Sequence, residues 1–301
     1  MARFQPSPAK RQETPPVELH RNDRIRMPAR PEWGLGRVLQ EPAAGKVCVL
    51  FREAGEKVLS LKHAQMEAVA GEAARDSWLD NVELEPKHAP PYLGPRDALR
   101  GFLEKYPGGL RDPRFLSEQR EPLEAARVMV VELLDRDATQ TLVDAGKHGE
   151  LCERVLRIVS KTSLVLPSDR MALSRALKRE ENRTRFAPAL HDLLYGSDDP
   201  DVRFKHFAAM LAAIGAAKWT LATSFPFLRF PEEHMVMRPA VTQQAAGRCR
   251  FQLDYRPELD RRTYGRLLAF ARVLREELAS LSPADHFDVQ GFVVFLADVP
   301  G

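Results

Sequence analysis

Between residues 30 and 59 short apolar runs alternate with glycines, a spacing that confines the segment to a small, strongly bent β structure. The order is Trp33-Gly34, Gly36 and Val38, then Gly45 before Val47, Val49 and Phe51, then Gly55 before Lys57, Val58 and Leu59. Val47, Val49 and Phe51 share one face by the two-residue period of a strand, and residues 23–27 and 35–39 alternate in the same way. Glycine supplies the backbone conformations that tight turns between strands require. About four strands in roughly 45 residues suit a small closed or half-closed barrel. A flat sheet of that size would leave its edges unprotected.

The rest of the chain carries a different period. Leu123, Ala126, Val130, Leu133 and Leu134 fall on one helical face, as do Leu151, Val155, Ile158 and Val159. Pro167-Ser168-Asp169 marks a helix start. Phe204, Phe207, Ala208, Leu211 and Ile214 form a third stripe, and Tyr264, Leu267, Leu268, Ala271, Leu274, Leu278 and Leu281 form the longest. Residues 233–238 and 287–296 read as strand-like. The predicted fold class is therefore α+β multidomain: a disordered Pro-rich tail at 1–20, a small barrel at 21–70, a linker at 71–94 with a short helix near Trp78, and a mainly α-helical domain at 95–301.

Composition excludes several classes. Of 301 residues, 44% are hydrophobic and 29% charged, the balance of a soluble globular protein, with a formal net charge of +3. Residues 1–30 hold seven Lys or Arg against three acids, so the basic character gathers at the amino end. The longest apolar run, 207–217, is shorter than the roughly 20 residues that span a bilayer, so no membrane is expected. Cys48, Cys152 and Cys249 are widely separated, which predicts a reducing cytoplasm and no disulfide framework. No paired Cys, His-Glu-x-x-His or carboxylate cluster implies a metal or other cofactor.

The 21–70 segment resembles the carboxy-terminal Tudor-like (SH3-like) domain of UvrD/PcrA-type DNA helicases and the RNA-polymerase-interacting domain of CarD regulators and the Mfd transcription-repair coupling factor. The matching positions are Trp33, Gly34, Gly36 and Val38, then Val47, Val49 and Phe51, then Gly55, Lys57 and Leu59. The resemblance implies a barrel that offers a strand edge and nearby loops to an RNA polymerase subunit, with main-chain hydrogen bonds extending a sheet. Arg30, Trp33, Gly34, Gly36, Arg37 and Lys57 are the partner-binding candidates. Trp33 is either a core plug or an exposed anchor, and the sequence leaves both open. An aromatic cage for methylated side chains needs more rings than Trp33 and Phe51. No Gly-x-x-x-x-Gly-Lys-Ser/Thr loop exists anywhere, so a helicase motor is excluded.

A second cluster runs from Lys218-Trp219 through Phe225, Phe227 and Phe230 to His234 and Arg238, and resembles a carboxy-terminal module of uncharacterised bacterial proteins. It reads as a packed corner between helices. The sharper reading is a pocket in which Lys218, His234 and Arg238 face an anionic ligand or nucleic acid, with an aromatic for base stacking. Ser282, Asp285, His286 and Asp288 lie close in sequence, but no Gly-x-Ser-x-Gly elbow supports a hydrolase triad, and Asp285 suits a helix cap.

The expectation is a non-enzymatic, cytoplasmic adaptor or regulator whose barrel binds a protein partner, RNA polymerase by the resemblance. The alternative is a DNA- or RNA-binding protein of repair or phage defence. A third arrangement, an enzyme site, would require Lys218, His234, Arg238 and Asp288 to meet in one cleft.

Overall fold

The computed structural model describes residues 18–84 and 90–300. Most of the expected disordered tail, residues 1–17, and residues 85–89 of the expected linker lie outside the described residues. The chain divides into two compact units, Met1–Leu79 and Asp80–Gly301.

In the first unit β1 (Arg24–Arg26), β2 (Gly36–Val38), β3 (Lys46–Phe51), β4 (Gly55–Ser60) and β5 (Glu67–Val69) form one antiparallel sheet in the order β4-β3-β2-β1-β5. Val38 stands opposite Val49, and Val49 opposite Lys57. The predicted inward set holds: Val47, Val49 and Phe51 join Leu19, Ile25, Met27 and Val38 in the core of this unit. Cys48 and Leu50, on the other face of β3, are buried too.

The expected barrel does not close, because β4 and β5 are not hydrogen-bonded to each other. Closure needs strands long enough to tilt and stagger, and β1, β2 and β5 have three residues each. Both edges therefore persist.

Residues 71–79, expected as linker, belong to the sheet unit. After a 3-10 turn at Gly71–Ala74 comes a one-turn helix, α1 (Ser77–Asp80), the helix expected near Trp78. Arg52 Nε donates to Asp76 at 2.9 Å, Leu79 N–H donates to the same carboxylate at 2.9 Å, and Arg37 Nη1 donates to the Leu79 carbonyl at 2.7 Å.

The second unit is helical: α2 (Pro95–Lys105), α3 (Pro113–Phe115), α4 (Glu121–Leu133), α5 (Arg136–Asp144), α6 (His148–Lys161), α7 (Pro167–Ala176), α8 (Glu180–Tyr195), α9 (Pro200–Ala213), α10 (Trp219–Arg229), α11 (Pro239–Arg248), α12 (Arg261–Glu277) and α13 (His286–Asp298). Aspartates start several of them. Asp112, Asp135, Asp199, Asp260 and Asp285 each accept from first-turn N–H groups of the helix that follows. No helix among the described residues is long and apolar enough to cross a membrane.

The strand-like reading of two segments is corrected. Residues 233–238 have no regular secondary structure beyond their turn, and residues 287–296 lie in α13. Every residue from His286 to Val293 is buried. A helix buried all round shows a continuous apolar run rather than a stripe, and that run is indistinguishable from a buried strand by period alone.

Arg120 ends a five-residue π-helical stretch, Leu116–Arg120, that leads into α4. Its guanidinium donates to Asp285 at 2.8 and 3.0 Å, to Asp288 at 2.7 Å and to Glu124 at 2.8 Å. Gly291 of α13 permits this close packing, since a Cβ there would sit 2.6 Å from the Phe115 ring.

Candidate functional site

Two places gather the predicted residues, one in each unit. In the sheet unit the chain turns through a 3-10 segment, Pro31–Trp33, before entering β2. The turn is held by Trp33 N–H to the Arg30 carbonyl at 3.0 Å and Gly34 N–H to the Pro31 carbonyl at 3.1 Å. Gly34 has φ +74°, in the left-handed region that favours glycine. Gly36 has another reason: a Cβ there would lie 2.7 Å from Val49 and 2.8 Å from the Phe51 ring.

Trp33 is neither fully buried nor fully exposed. It is partly buried and packs against the core cluster, with its ring 5.0 Å from that of Phe51 at 59°. Arg30 Cζ lies 6.0 Å and Lys57 Nζ 5.8 Å from the ring centroid, within cation–π range. Arg30 also pairs with Glu32 at 3.6 Å. Arg37 is committed elsewhere: Nη2 donates to Asn22 Oδ1 at 2.7 Å and Nη1 to the Leu79 carbonyl. Its charge ties the unit together.

The sequence did not single out Val58. It sits on edge strand β4 and is 65% exposed, the largest exposure among the large apolar side chains described. The Leu61 N–H to Gly45 carbonyl bond sets the phase of the β3–β4 ladder. By the alternation of antiparallel pairs, Val58 stands opposite Cys48 with its own N–H and C=O turned away from β3.

In the helical unit, α7, α10 and α11 all begin at one pocket of about 380 Å³. Lys218 and Arg238, the residues immediately before α10 and α11, both line it. No side chain caps any of the three helices. Leu164, Leu166, Val241 and Tyr255 contribute to its apolar wall. Arg238 is partly buried, and desolvation lowers its pKa, offset in part by Asp298.

His234 is not in this pocket. Its Nδ1 lies 2.8 Å from the Tyr264 hydroxyl, and its carbonyl accepts from His286 Nδ1 at 2.9 Å. Burial, with repulsion from Arg203 and His286, pulls the His234 pKa down to about 4, so the neutral ring accepts the Tyr264 proton. Trp219 offers no face for base stacking. It is 3% exposed, stacks on Phe204 at 6.1 Å and donates its Nε1 proton to the Arg256 carbonyl at 2.8 Å. Asp288 is held by Arg120. Lys218, His234, Arg238 and Asp288 thus do not share a cleft; only Lys218 and Arg238 meet. No group of three or more metal-ligating side chains occurs among the described residues.

Residues 19–69 match the family described as "Protein of unknown function (DUF3553)". The match covers the five-stranded sheet and stops before the helical unit. No curated protein and no solved structure matches the chain.

Proposed function

We propose that the chain is an adaptor whose sheet unit binds a macromolecular partner by adding a partner strand along β4. The observation that carries this reading is the edge itself: Val58 is exposed, its backbone donor and acceptor point outward, and the preceding residue, Lys57, lies over the partly exposed Trp33. A partner strand at such an edge gains main-chain hydrogen bonds, while side chains on its two faces give selectivity. Arg30 and Lys57 around Trp33 favour an acidic segment. RNA polymerase is the partner implied by the resemblance of residues 21–70 to the Tudor-like and CarD-type domains.

Charge supports a protein partner over a nucleic acid. Residues 18–79 hold ten Lys or Arg and nine Asp or Glu, and Arg37 and Arg52 are engaged in internal hydrogen bonds and ion pairs. A unit that tracks phosphates carries an excess of free positive charge.

The test is direct binding of the full-length chain to purified bacterial RNA polymerase. Val58→Pro removes the outward N–H without touching the β3 ladder, and Lys57→Glu reverses the charge beside Trp33. Each is expected to weaken binding about tenfold or more with the fold intact. Absence of polymerase binding, or full binding by both variants, overturns the proposal. A steep loss of affinity with salt, together with retention on DNA or RNA, would favour the nucleic-acid alternative.

A further inference from the structure

The pocket at the starts of α7, α10 and α11 is lined by two cations that form no ion pair among the described residues. Lys218 and Arg238 have no carboxylate within ion-pair distance among the described residues, although Arg238 is partly buried. The charge of Asp298 offsets the desolvation of Arg238 only in part, and an anion in the pocket would relieve the remainder. Asp169 is the single acid lining the pocket among the described residues, and it is engaged by Thr220 Oγ1 at 2.6 Å and Ser168 Oγ at 3.3 Å.

Backbone donors converge on the same place. Trp219 and Thr220 open α10 and line the pocket, are 3% and 2% exposed, and their N–H groups meet no acceptor among the described residues. In α11 the Ala240 and Val241 N–H groups are likewise free, while Thr242 N–H returns to the Arg238 carbonyl at 2.8 Å. Each terminus also presents the positive end of its helix dipole. The rest of the wall is apolar, and Leu166 reaches the surface at 50% exposure. A volume near 380 Å³ is that of a small-molecule site. The Trp219 ring is covered and offers no face to a base.

We propose that this pocket binds a small organic oxyanion, its carboxylate or phosphate head between Lys218, Arg238 and the first-turn N–H groups of α10 and α11, its apolar body against Leu164, Leu166 and Val241. The site is independent of the β4 edge, and its test does not involve RNA polymerase.

The full-length chain is titrated by calorimetry with phenylacetate, phenyl phosphate, inorganic phosphate and the neutral benzyl alcohol. At least one aryl anion should bind saturably, with benzyl alcohol weaker by about tenfold or more, the worth of charge-assisted hydrogen bonds. The relative strength of phenylacetate and phenyl phosphate assigns the head group. Arg238→Gln should lower aryl-anion affinity about tenfold. Leu166→Gln should weaken the aryl anions and leave inorganic phosphate unchanged. Lys218 is exposed, so Lys218→Gln, expected to weaken binding several-fold, decides the matter if Arg238→Gln does not fold. Saturation by neither aryl anion, equal binding of benzyl alcohol, or unchanged affinity in both cation variants overturns the proposal.

Discussion

Trp33 rests on Phe51, ring centroids 5.0 Å apart, while Lys57 and Arg30 stand over the same indole. One side of the ring is core and the other is a cationic rim. The two roles separate by substitution. Trp33→Ala removes packing and is expected to cost about 1–3 kcal/mol of stability in denaturant unfolding, less than for a fully buried indole. Lys57→Gln removes one exposed cation–π contact worth roughly 0.5–1 kcal/mol. Equal, negligible costs for both would show that the indole is not seated on Phe51.

Gly36 is set by space rather than by φ. A methyl at that position meets Val49 and the Phe51 ring, both buried, at 2.7 and 2.8 Å. Gly36→Ala should therefore destabilise the sheet unit by about 1–3 kcal/mol, the usual cost of overpacking. Gly45→Ala is the control, since its Cβ would meet nothing within 4 Å and only its φ of +71° is strained. The midpoint shift in urea should be larger for Gly36.

The sheet was legible because Val47, Val49 and Phe51 alternate at the two-residue period of a strand between the turn glycines Gly45 and Gly55. Its failure to close was not legible, since closure depends on the tilt and stagger of the strands, and the alternation does not reveal that β1, β2 and β5 stop after three residues each. In the helical unit the stripes were read correctly where one face is wet. They misled at residues 287–296, where α13 is buried on every side. Lys218 and Arg238 were singled out for their charge, but His234 came with them only because it lies nearby in the chain. What joins the two cations is that each precedes a helix, a relation signalled for Arg238 by the Arg238-Pro239 pair. Arg120 was missed, because its partners Asp285 and Asp288 lie some 165 residues away.

Those distant contacts make Arg120 a structural pivot. Asp288 is fully buried and Asp285 is 6% exposed at the side chain. Arg120→Met leaves both carboxylates without their counter-charge and should cost about 3–5 kcal/mol. Adding Asp288→Leu should recover part of that loss, because an apolar replacement of the pair avoids the unpaired charge. A double variant no more stable than Arg120→Met would show that Asp288 acts through its bond from the Ala284 N–H instead.

The two thiols of the helical unit, Cys152 and Cys249, report on its opening. Cys152 and Cys249 are 1% and 3% exposed, and burial pushes the Cys152 pKa up to about 12 and that of Cys249 higher still. A buried, protonated thiol is a poor nucleophile. Native protein should react with an aromatic disulfide reagent far more slowly than the urea-unfolded chain. Fast labelling of Cys249 in the native protein would place the α11 end in a locally open state.

His234 and His286 give the helical unit an acid limit. Burial lowers both pKa values, His234 to about 4, while for His286 the hydrogen bond to the His234 carbonyl partly offsets the effect. Above the ordinary histidine value near 6.5 both states are neutral and the full stability is present. As pH falls below it, the unfolded chain takes up protons that the folded chain refuses, so stability declines toward the folded pKa. For His234 alone the loss between about pH 7 and pH 5 is about 2 kcal/mol. Urea unfolding at these two values should show that decline, and His234→Gln should flatten it while lowering stability at neutral pH through the lost Tyr264 contact. A variant that keeps the wild-type pH slope would remove His234 from the account and leave His286 as the group that titrates.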